Sequence, residues 1–203
     1  MKKHNNIKQG TSEWHQIRKG KITGTTLKAI MGTPKARQEA IYEIIAERLT
    51  VGVEEEYENA MDRGLRLEPE AIALFELQTG LKVDHTGFCE DDDNSLICNS
   101  PDGLIGEDEA IEAKCMGGKN HIKMWITNKI PDEYEAQTLQ YFVVNEKLQK
   151  LYFIGYNPDI TLHPLHIIEF KREDIQEDID EARSLQEVFL KDVEVELSKI
   201  IKI

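Results

Sequence analysis

The sequence predicts an α/β fold in which a central mixed β-sheet carries helices on both faces. Helical and strand-like segments follow one another in the order helices, strands, helix, strands, helix, a pattern typical of one α/β domain. The chain has 203 residues, of which 40% are hydrophobic, enough to form one sizeable core. No repeat, low-complexity tract or linker interrupts the sequence, so residues 1–203 are expected to form a single domain.

Helices are predicted from their caps and from apolar residues that recur at helical spacing. Thr11 or Ser12 can cap a short first helix that Gly20 ends, and a second helix is predicted from about Thr25 to Met31. Four further helices are predicted at residues 39–50, 61–79, 131–144 and about 174–201. The last of them is amphipathic along its whole length.

Strands are predicted where apolar segments are bounded by turn residues. In chain order they lie at residues 81–90, 95–99, 110–115, 150–156 and 162–170. The short Met-Gly-Gly-Lys segment at residues 116–119 is predicted to be a flexible loop.

The net charge of −13 is distributed unevenly along the chain. Residues 1–37 hold nine lysines and arginines and one acid, whereas residues 38–113 hold four basic and 21 acidic residues. A basic N-terminal arm on an acidic body suits a protein that admits DNA along one surface and repels it elsewhere. For the acidic part, a solubilising surface is the simpler interpretation.

The cysteines and the N-terminus give little sign of an extracellular or membrane protein. Cys89, Cys98 and Cys115 form no Cys-x-x-Cys pair, which argues against a disulfide framework, a zinc site or an iron–sulfur cluster. No run of about 18 apolar residues suggests a membrane span, and no apolar stretch follows the first residues as it would in a signal peptide. We therefore expect a cytoplasmic protein with reduced thiols.

The segment from Ser100 to Lys114 combines two carboxylates and an ammonium group in one pattern. Asp102 precedes a turn, and Glu112 and Lys114 follow that turn in a strand-like run. Alternate side chains of a strand share one face, so Glu112 and Lys114 point the same way and Asp102 can lie beside them. Such a group can hold Mg²⁺ by oxygen ligands and position a water for attack on phosphate. An ordinary exposed hairpin could contain the same residues.

This Asp-x9-Glu-x-Lys spacing resembles that of the PD-(D/E)xK nuclease superfamily. Further blocks, in the expected order, resemble its lambda exonuclease or YqaJ-like viral recombinase branch. They are Gln-Gly…Glu-Trp-His…Arg-Lys-Gly…Ile-Thr-Gly-Thr at residues 9–25, Gly-Leu-Arg-Leu-Glu-Pro at 64–69, Glu-Ala-Gln-Thr-Leu-Gln-Tyr at 135–141 and Tyr-Phe-Ile-Gly-Tyr-Asn-Pro at 152–158. The resemblance spans roughly residues 9–170 and implies a restriction-endonuclease-like core.

The resemblance implies a catalytic centre in which Asp102 and Glu112 bind metal, together with the main-chain carbonyl of Ala113 and with Glu68 from a helix. Two Mg²⁺ ions would bind there, and Mn²⁺ could substitute for them. Lys114 would position the attacking water. Taken alone, a single helix glutamate such as Glu68 is more commonly an exposed surface acid.

The resemblance also implies a pocket for a terminal 5′-phosphate, formed by Arg18, Thr25 and Ser100, because a guanidinium fork and hydroxyl donors suit a dianion. Thr25 could instead cap a helix, and Ser100 could simply begin a turn. Gln137 would reach the active site from its helix. Gln140 is the alternative, because it lies three residues later on the same helix face.

Met61 stands three residues before Gly64, where the family tends to carry an apolar side chain at the mouth of its DNA channel. One hypothesis is that Met61 wedges between the strands at the end of a duplex. A methionine that packs in the protein interior is an equally good interpretation.

The activity implied by the resemblance is that of a Mg²⁺-dependent exonuclease on linear double-stranded DNA. It would degrade one strand 5′→3′, release mononucleotides and leave a 3′ single-stranded tail. The resemblance further implies a ring-shaped homotrimer around DNA. It also implies a single-strand annealing protein of the same phage or prophage as partner, in the cytoplasm of a bacterial host.

Two alternatives stay open. An endonuclease with the same core, of the restriction or CRISPR-associated type, would need a recognition element or cluster-binding cysteines that the sequence does not offer. A DNA-end-binding module without catalysis is the other alternative, and the complete set Asp102, Glu112 and Lys114 argues against it.

Overall fold

The computed structural model describes residues 1–49 and 59–201, with the side chains of residues 59–63 and 65 excepted. The helices are α1 (Ser12–Arg18), α2 (Gly24–Ile30), α3 (Pro34–Leu49), α4 (Asn59–Thr79), α5 (Gly118–Thr127), α6 (Glu135–Val144) and α7 (Gln176–Ile201). The strands are β1 (Lys2–Lys3), β2 (Cys89–Glu90), β3 (Cys98–Asn99), β4 (Gly103–Ile105), β5 (Glu109–Cys115), β6 (Lys150–Tyr156) and β7 (Leu165–Lys171). Turns of 3-10 helix at Asp132–Tyr134 and Arg172–Asp174 precede α6 and α7.

Among the described residues, the central sheet has four strands in the order β4-β5-β6-β7. β5 and β6 run parallel, with Glu112 opposite Phe153 and Lys114 opposite Gly155, whereas the outer pairs are antiparallel. The sheet is therefore mixed, as predicted. Because β5 and β6 are parallel, their carboxyl ends meet at one edge of the sheet, and Lys114 lies close to that edge. A smaller sheet, β1-β2-β3, joins the N-terminal segment to the middle of the chain.

Helices cover both faces of the central sheet, which confirms the predicted layers. On one face α4 packs its apolar stripe against β5 and β6 through Leu67, Ala71, Ile72, Phe75, Ile111, Ala113, Tyr152 and Ile154. On the other face α6, α2, α3 and α7 form the larger core with Ala110, Leu139, Phe142, Leu151 and Phe189 among its members. Alternation along β5 thus turns Ala113 toward α4 and Glu112 toward α6.

Two of the strand predictions are wrong in extent. Residues 81–90 form a strand only at Cys89–Glu90, and residues 95–99 only at Cys98–Asn99. Before β2 the chain touches the central sheet through a bridge in which Asp84 exchanges backbone hydrogen bonds with Leu104. β4 has only three residues, so it offers too little edge for a longer strand to pair with it.

The loop predicted for residues 116–119 is also wrong, because α5 begins at Gly118. Gly117 precedes the helix without a side-chain cap, so the sequence has no helix-start signal there. Tertiary packing holds the helix instead. Met124 is buried on the sheet, and a Cβ at Gly155 would lie 2.7 Å from its sulfur atom.

Two arginines fix the C-terminal end of α6. Arg172 donates hydrogen bonds to the backbone carbonyls of Phe142 and Asn145 at 2.7 and 2.8 Å, and Arg183 donates to that of Val143 at 2.7 Å. The last carbonyls of a helix lack partners within it, and the helix dipole favours cations at this end. These contacts hold α6 in place on the sheet.

Glu90 is the centre of a buried ion cluster. Its carboxylate pairs with Lys21, with His4 at 3.1 Å and with Lys2 at 3.4 Å, and the residue is 4% exposed. Burial alone would raise the pKa of Glu90, but hydrogen bonds from Lys21 and His4 more than offset it and lower the pKa from its ordinary 4.5 to about 2. The charged carboxylate therefore stabilises the folded chain.

We expect Glu90→Gln to lower the free energy of unfolding at pH 7 by about 1–3 kcal/mol. The pKa of Glu90 is lower in the folded chain than in the unfolded chain. Its contribution to the free energy of unfolding is therefore fully present above pH 4.5 and is lost as the pH falls toward 2. The difference between wild type and variant should therefore shrink over that interval in urea unfolding curves. Glu169→Gln, at an exposed pair with Lys150, is the control. A loss that is the same in both variants at every pH would contradict the role of Glu90.

Candidate active site

Asp102 lies in the turn directly before β4 and beside the middle of β5. Its Oδ2 atom accepts a hydrogen bond from the backbone N–H of Ala113 at 2.8 Å, which fixes the carboxylate against β5. The following residue has no room for a side chain, because a Cβ at Gly103 would lie 2.1 Å from a methyl carbon of Val83. Gly103 thus allows the turn to bring Asp102 onto the strand.

Glu112 and Lys114 project from the same face of β5, as the sequence predicts. Glu112 is fully buried, and its Oε1 atom pairs with the ammonium group of Lys114. That ammonium group also lies 5.1 Å from the centre of the Tyr134 ring. Burial by itself lowers the pKa of Lys114, but the charges of Glu112 and Asp102 more than offset it and raise the pKa above its ordinary 10.5. Lys114 is therefore a cation at neutral pH.

Tyr141 of α6 links the Glu112 carboxylate to the backbone of Asp102, a role that no sequence motif predicted. Its hydroxyl lies 2.5 Å from Glu112 Oε2 and accepts a hydrogen bond from the backbone N–H of Asp102 at 3.2 Å. Burial, followed by the charge of Glu112, raises the pKa of Tyr141 well above its ordinary value, so the hydroxyl keeps the proton that it donates to Glu112. The available signal was the spacing of Tyr141, four residues after Gln137 on the same helix face.

Three carboxyl groups interact electrostatically at this point. The pKa values of Asp102 and Glu68 are both raised, first by burial and second by the nearby charge of Glu112. Glu68 is half-buried on α4, and Lys114 opposes the pKa shift in both groups. One ammonium group among three carboxyl groups leaves the cluster short of positive charge.

This shortage of positive charge suits a divalent cation. Among residues 1–49 and 59–201, no three His, Cys, Asp or Glu side chains are arranged to hold a metal ion on their own. Mg²⁺ does not need such a cage, because proteins usually bind it through one or two carboxylates together with waters and substrate phosphates. Asp102 and Glu112 are hard oxygen donors of this kind, and Glu68 lies within electrostatic reach, so the donor set fits the ion.

A second group of predicted residues meets at Ser100, two residues before Asp102. Arg18 donates a hydrogen bond to Ser100 Oγ at 3.2 Å, and the indole N–H of Trp14 donates to the same oxygen at 2.9 Å. Both lone pairs of this hydroxyl are then in use, which leaves its proton free to donate. The Arg18 guanidinium lies over the Trp14 ring, 4.0 Å from its centre, so Trp14 orients it. Burial lowers the pKa of Arg18, although a guanidinium stays charged in proteins.

Thr25 and Gln137 complete this second group. With Arg18, Ser100 and their neighbours they line a small cavity of about 40 Å³, and Tyr141 forms the part of the wall that leads to the carboxylates. A cavity of this size has room for about one or two water-sized groups. The predicted phosphate donors therefore meet in one place, next to the acidic cluster.

The threonines and glutamines near this cavity differ in burial and in hydrogen bonding. Thr23 caps α2, with its hydroxyl 3.5 Å from the N–H of Thr26, whereas Thr25 is exposed in the first turn of the helix. Gln140 is fully buried and donates to the carbonyl of Cys98 at 3.0 Å. Gln137 is only partly buried where it borders the cavity.

A larger cleft of about 710 Å³ runs between α1, α2 and α3 and shares Arg18, Thr23 and Thr25 with the small cavity. Its other charged or titratable lining residues are His15, Lys19, Lys21, Glu43 and Glu47. The cleft is therefore basic on its α1 side and acidic on its α3 side.

Met61 belongs to α4, but its side chain lies outside the part of the chain that the structure describes. α4 reaches the acidic cluster through Glu68, about two helical turns after Met61. The contact of Met61 with the end of a duplex stays a prediction.

Residues 13–147, well over half of the chain, match the family model of the YqaJ-like viral recombinase domain. The chain belongs to this family. The matched segment contains Arg18, Asp102, Glu112, Lys114 and Tyr141, so both groups of residues described above lie within the family domain.

The similar solved structures include exonucleases. The alkaline exonuclease LHK-Exo from Laribacter hongkongensis is similar with a TM-score of 0.85 and 30% sequence identity, over 95% of this chain and 97% of that chain. The same values hold for LHK-Exo in complex with dAMP. A phage-related exonuclease from Haemophilus somnus 129PT shares the fold, with a TM-score of 0.61 and 17% identity over 87% of this chain and 96% of that chain. No curated protein matches the chain.

The family relationship and the similarity to LHK-Exo identify the protein as an enzyme. It is a metal-dependent deoxyribonuclease of the lambda-exonuclease type. In the described part of this recombinase-family chain, no helix is long and apolar enough to cross a membrane.

We expect Tyr141→Phe to lower kcat for nucleotide release by about 10- to 100-fold, the usual effect of removing a group that positions a metal ligand. The change leaves Glu112 Oε2 and the N–H of Asp102 without their buried partner, while the ring still fills its space. Steady-state digestion of duplex DNA measures the effect. A nearly unchanged KM would show that the variant still binds its substrate and that the loss of activity comes from misplaced carboxylates.

Tyr152→Phe is the matched control for this variant, because the Tyr152 hydroxyl bonds to Lys150 outside the site. It should digest DNA at the wild-type rate. Wild-type kcat in Tyr141→Phe, or an equal loss in the two variants, would rule out a specific role for the Tyr141 hydroxyl.

Proposed function

We propose that the chain is a Mg²⁺-dependent 5′→3′ exonuclease that acts on linear double-stranded DNA, releases mononucleotides and leaves a 3′ single-stranded tail. One observation carries the proposal: a cluster of carboxylates and a pocket of phosphate-type donors lie side by side. The turn from Ser100 to Asp102 and the hydroxyl of Tyr141 join them. A terminal phosphate held in the pocket would place the next phosphodiester at the carboxylates, so cleavage would occur one nucleotide from the end.

In this proposal Asp102, Glu112 and the carbonyl of Ala113 hold Mg²⁺, and Glu68 completes the site for a second ion, as in other PD-(D/E)xK nucleases. Mn²⁺ would substitute, since the ligands are hard oxygen donors. Ions held by these residues would supply Lewis-acid chemistry to the phosphate and to the attacking water. The raised pKa values of Asp102 and Glu68 support the assignment, because added positive charge beside these buried carboxyl groups would favour their anionic form.

Lys114 orients the attacking water. Its pKa is raised, so the group is an ammonium that donates a hydrogen bond to the water oxygen and does not accept a proton from it. The ion pair with Glu112 and the ring of Tyr134 hold the ammonium group at the carboxylate cluster. Lys114 is thus a catalytic residue by position and charge.

Arg18, Ser100 and Thr25 bind the terminal 5′-phosphate in this proposal, and Gln137 reaches the active site from α6 as a catalytic residue. The guanidinium is held over the Trp14 ring, and the Ser100 proton is free to donate, so two donors are arranged before the substrate arrives. A charged donor and hydroxyl groups suit a phosphate dianion. End selection would follow from this pocket, since a 5′-hydroxyl end lacks the charge that it binds.

The remaining parts of the proposal rest on the family relationship. Residues 1–203 would form a single domain, and three copies would form a ring around DNA, with Met61 as a wedge at the duplex end. A single-strand annealing protein of the same phage or prophage would load onto the 3′ tail, in the cytoplasm of a bacterial host.

The proposal is tested with a linear duplex labelled on one strand, with 5′-phosphate or 5′-hydroxyl ends, and a closed circle of the same sequence. We expect mononucleotides from phosphorylated linear ends only, in Mg²⁺ but not in EDTA. Lys114→Ala should lower the rate by about 100-fold or more while end binding persists. Cutting of the closed circle would identify an endonuclease instead. End binding without any cutting would identify a binding module.

Arg18→Gln tests the phosphate pocket separately. It should lower the rate on 5′-phosphate ends by about 10- to 100-fold, the effect of one lost charged hydrogen bond or slightly more, and leave the background rate on 5′-hydroxyl ends unchanged. Lys28→Gln is the control, because it removes the same charge from an exposed position on α2. Retained preference for phosphorylated ends in Arg18→Gln would exclude the pocket.

A further inference from the structure

One face of α5 combines exposed apolar side chains with lysines. Ile122, Trp125 and Ile126 are 42%, 38% and 75% exposed. Lys119 and Lys123 are exposed one turn apart, and at about 100° per residue they continue the same arc of the helix. We call this the α5 surface. The proposed nuclease mechanism uses none of its residues.

The charge of the α5 surface differs from that of the chain as a whole. Residues 115–131 contain three lysines and no acid, although the chain carries a net charge of −13. The adjoining turn at residues 157–164 adds one acid, Asp159. In the part of the chain that the structure describes, the ammonium groups of Lys119, Lys123 and Lys129 form no ion pair with a carboxylate. They remain available to an anion from outside.

Trp125 is held in a fixed orientation although it is partly exposed. Its ring stacks on His163 with the ring centres 4.1 Å apart and an angle of 18° between the planes. His166 meets the same ring edge-on at 4.6 Å, and His166 Nε2 lies 3.0 Å from Asn128 Oδ1. Aromatic pairs of this geometry stabilise one another, so the ring is arranged before any ligand arrives.

The α5 surface is tied to the end of the strand that carries Lys114. Asn157 Nδ2 donates to the carbonyl of Met116 at 2.9 Å, and the N–H of Met116 donates to the carbonyl of Tyr156 at 3.0 Å. His121 Nε2 lies 2.7 Å from the carbonyl of His163, which carries the stacked ring. α5 starts four residues after Lys114 and is about 15 Å long, so the α5 surface lies at the catalytic edge of the sheet.

We infer that the α5 surface binds single-stranded DNA, namely the strand that the enzyme leaves undigested; this inference rests on the proposed exonuclease function. Proteins that hold single strands combine positive charge for the backbone with aromatic side chains on which unpaired bases stack. Trp125 and the lysines of α5 supply both. Duplex DNA keeps its bases stacked inside the helix, so they cannot stack on an exposed indole ring. The lysines favour a polyanion over an apolar protein partner.

The test measures binding of a fluorescein-labelled (dT)20 that has a 5′-hydroxyl end, by anisotropy in EDTA. EDTA prevents cleavage, and the 5′-hydroxyl leaves the phosphate pocket out of the measurement. Trp125→Ala should weaken binding about 10-fold, the loss of one stacked base. The double variant Lys119→Gln with Lys123→Gln should weaken binding. It should also reduce the magnitude of the slope of the logarithm of the binding constant against the logarithm of the salt concentration by about 1.4, because each lost phosphate contact reduces it by about 0.7.

Controls separate charge, folding and activity. Lys147→Gln with Lys191→Gln removes the same charge from exposed positions elsewhere and should bind as the wild type does. Trp125→Phe keeps an aromatic ring and should retain most of the affinity. All of these variants should release the first nucleotide from a short phosphorylated duplex at the wild-type rate.

The outcomes distinguish this inference from the proposed function. The lysine double variant could bind (dT)20 with the same affinity and salt slope as the wild type and keep its nuclease activity. That result would overturn the inference and would leave the proposed exonuclease function unaffected. If the α5 variants lose (dT)20 binding but the wild-type protein releases no nucleotide from duplex DNA, the result would support DNA binding by the α5 surface and would reject the proposed exonuclease activity. A changed oligomeric state in sedimentation, with unchanged (dT)20 binding, would identify the surface as a contact between copies of the chain and overturn the inference.

Discussion

The buried carboxylate of Glu112 is the constraint on which the rest of the site depends. A charge withdrawn from water costs several kcal/mol unless partners compensate it, and Glu112 has Lys114 at one oxygen and Tyr141 at the other. Lys114 comes from the same strand, but Tyr141 arrives only if α6 takes its place. α2 and α6 pack backbone to backbone there, because a Cβ at Gly24 would lie 3.0 Å from the α6 backbone. Arg172 holds the far end of α6, so the site depends on the packing of the whole domain core.

The charges of the molecule are arranged so that an acidic protein can act on a polyanion. The chain carries a net charge of −13, which discourages non-specific association with DNA. Two positive groups lie where phosphate chemistry is expected, with Arg18 held on an indole ring and Lys114 on a carboxylate. The acidic cluster around Asp102 has more negative than positive charge, and this imbalance favours the binding of a divalent cation.

Local patterns in the sequence predicted the elements that are local in origin. β6 has the predicted bounds at residues 150–156 because a strand buried on both faces is a continuous apolar run. Thr11 caps α1, accepting a hydrogen bond from the N–H of Trp14 at 3.3 Å, because an N-cap is formed within one turn of the chain. α5 was missed because Gly117 gives no start signal and its apolar side chains matter only against the sheet. The strand predicted at residues 81–90 was too long because the length of a strand depends on the strand that it pairs with, and the neighbouring β4 has only three residues. The sequence of residues 81–90 does not encode that length.

The sequence by itself determined that Asp102, Glu112 and Lys114 lie together, because a turn followed by a strand of period two fixes their relative positions within 13 residues. Only the tertiary structure decided that Tyr141 joins the Glu112 carboxylate to the backbone of Asp102 and that Trp14 shares Ser100 with the Arg18 guanidinium, at separations of 29 to 86 residues along the chain. Contacts of that range depend on how helices pack, and packing is set by the volumes of many side chains at once rather than by any local period.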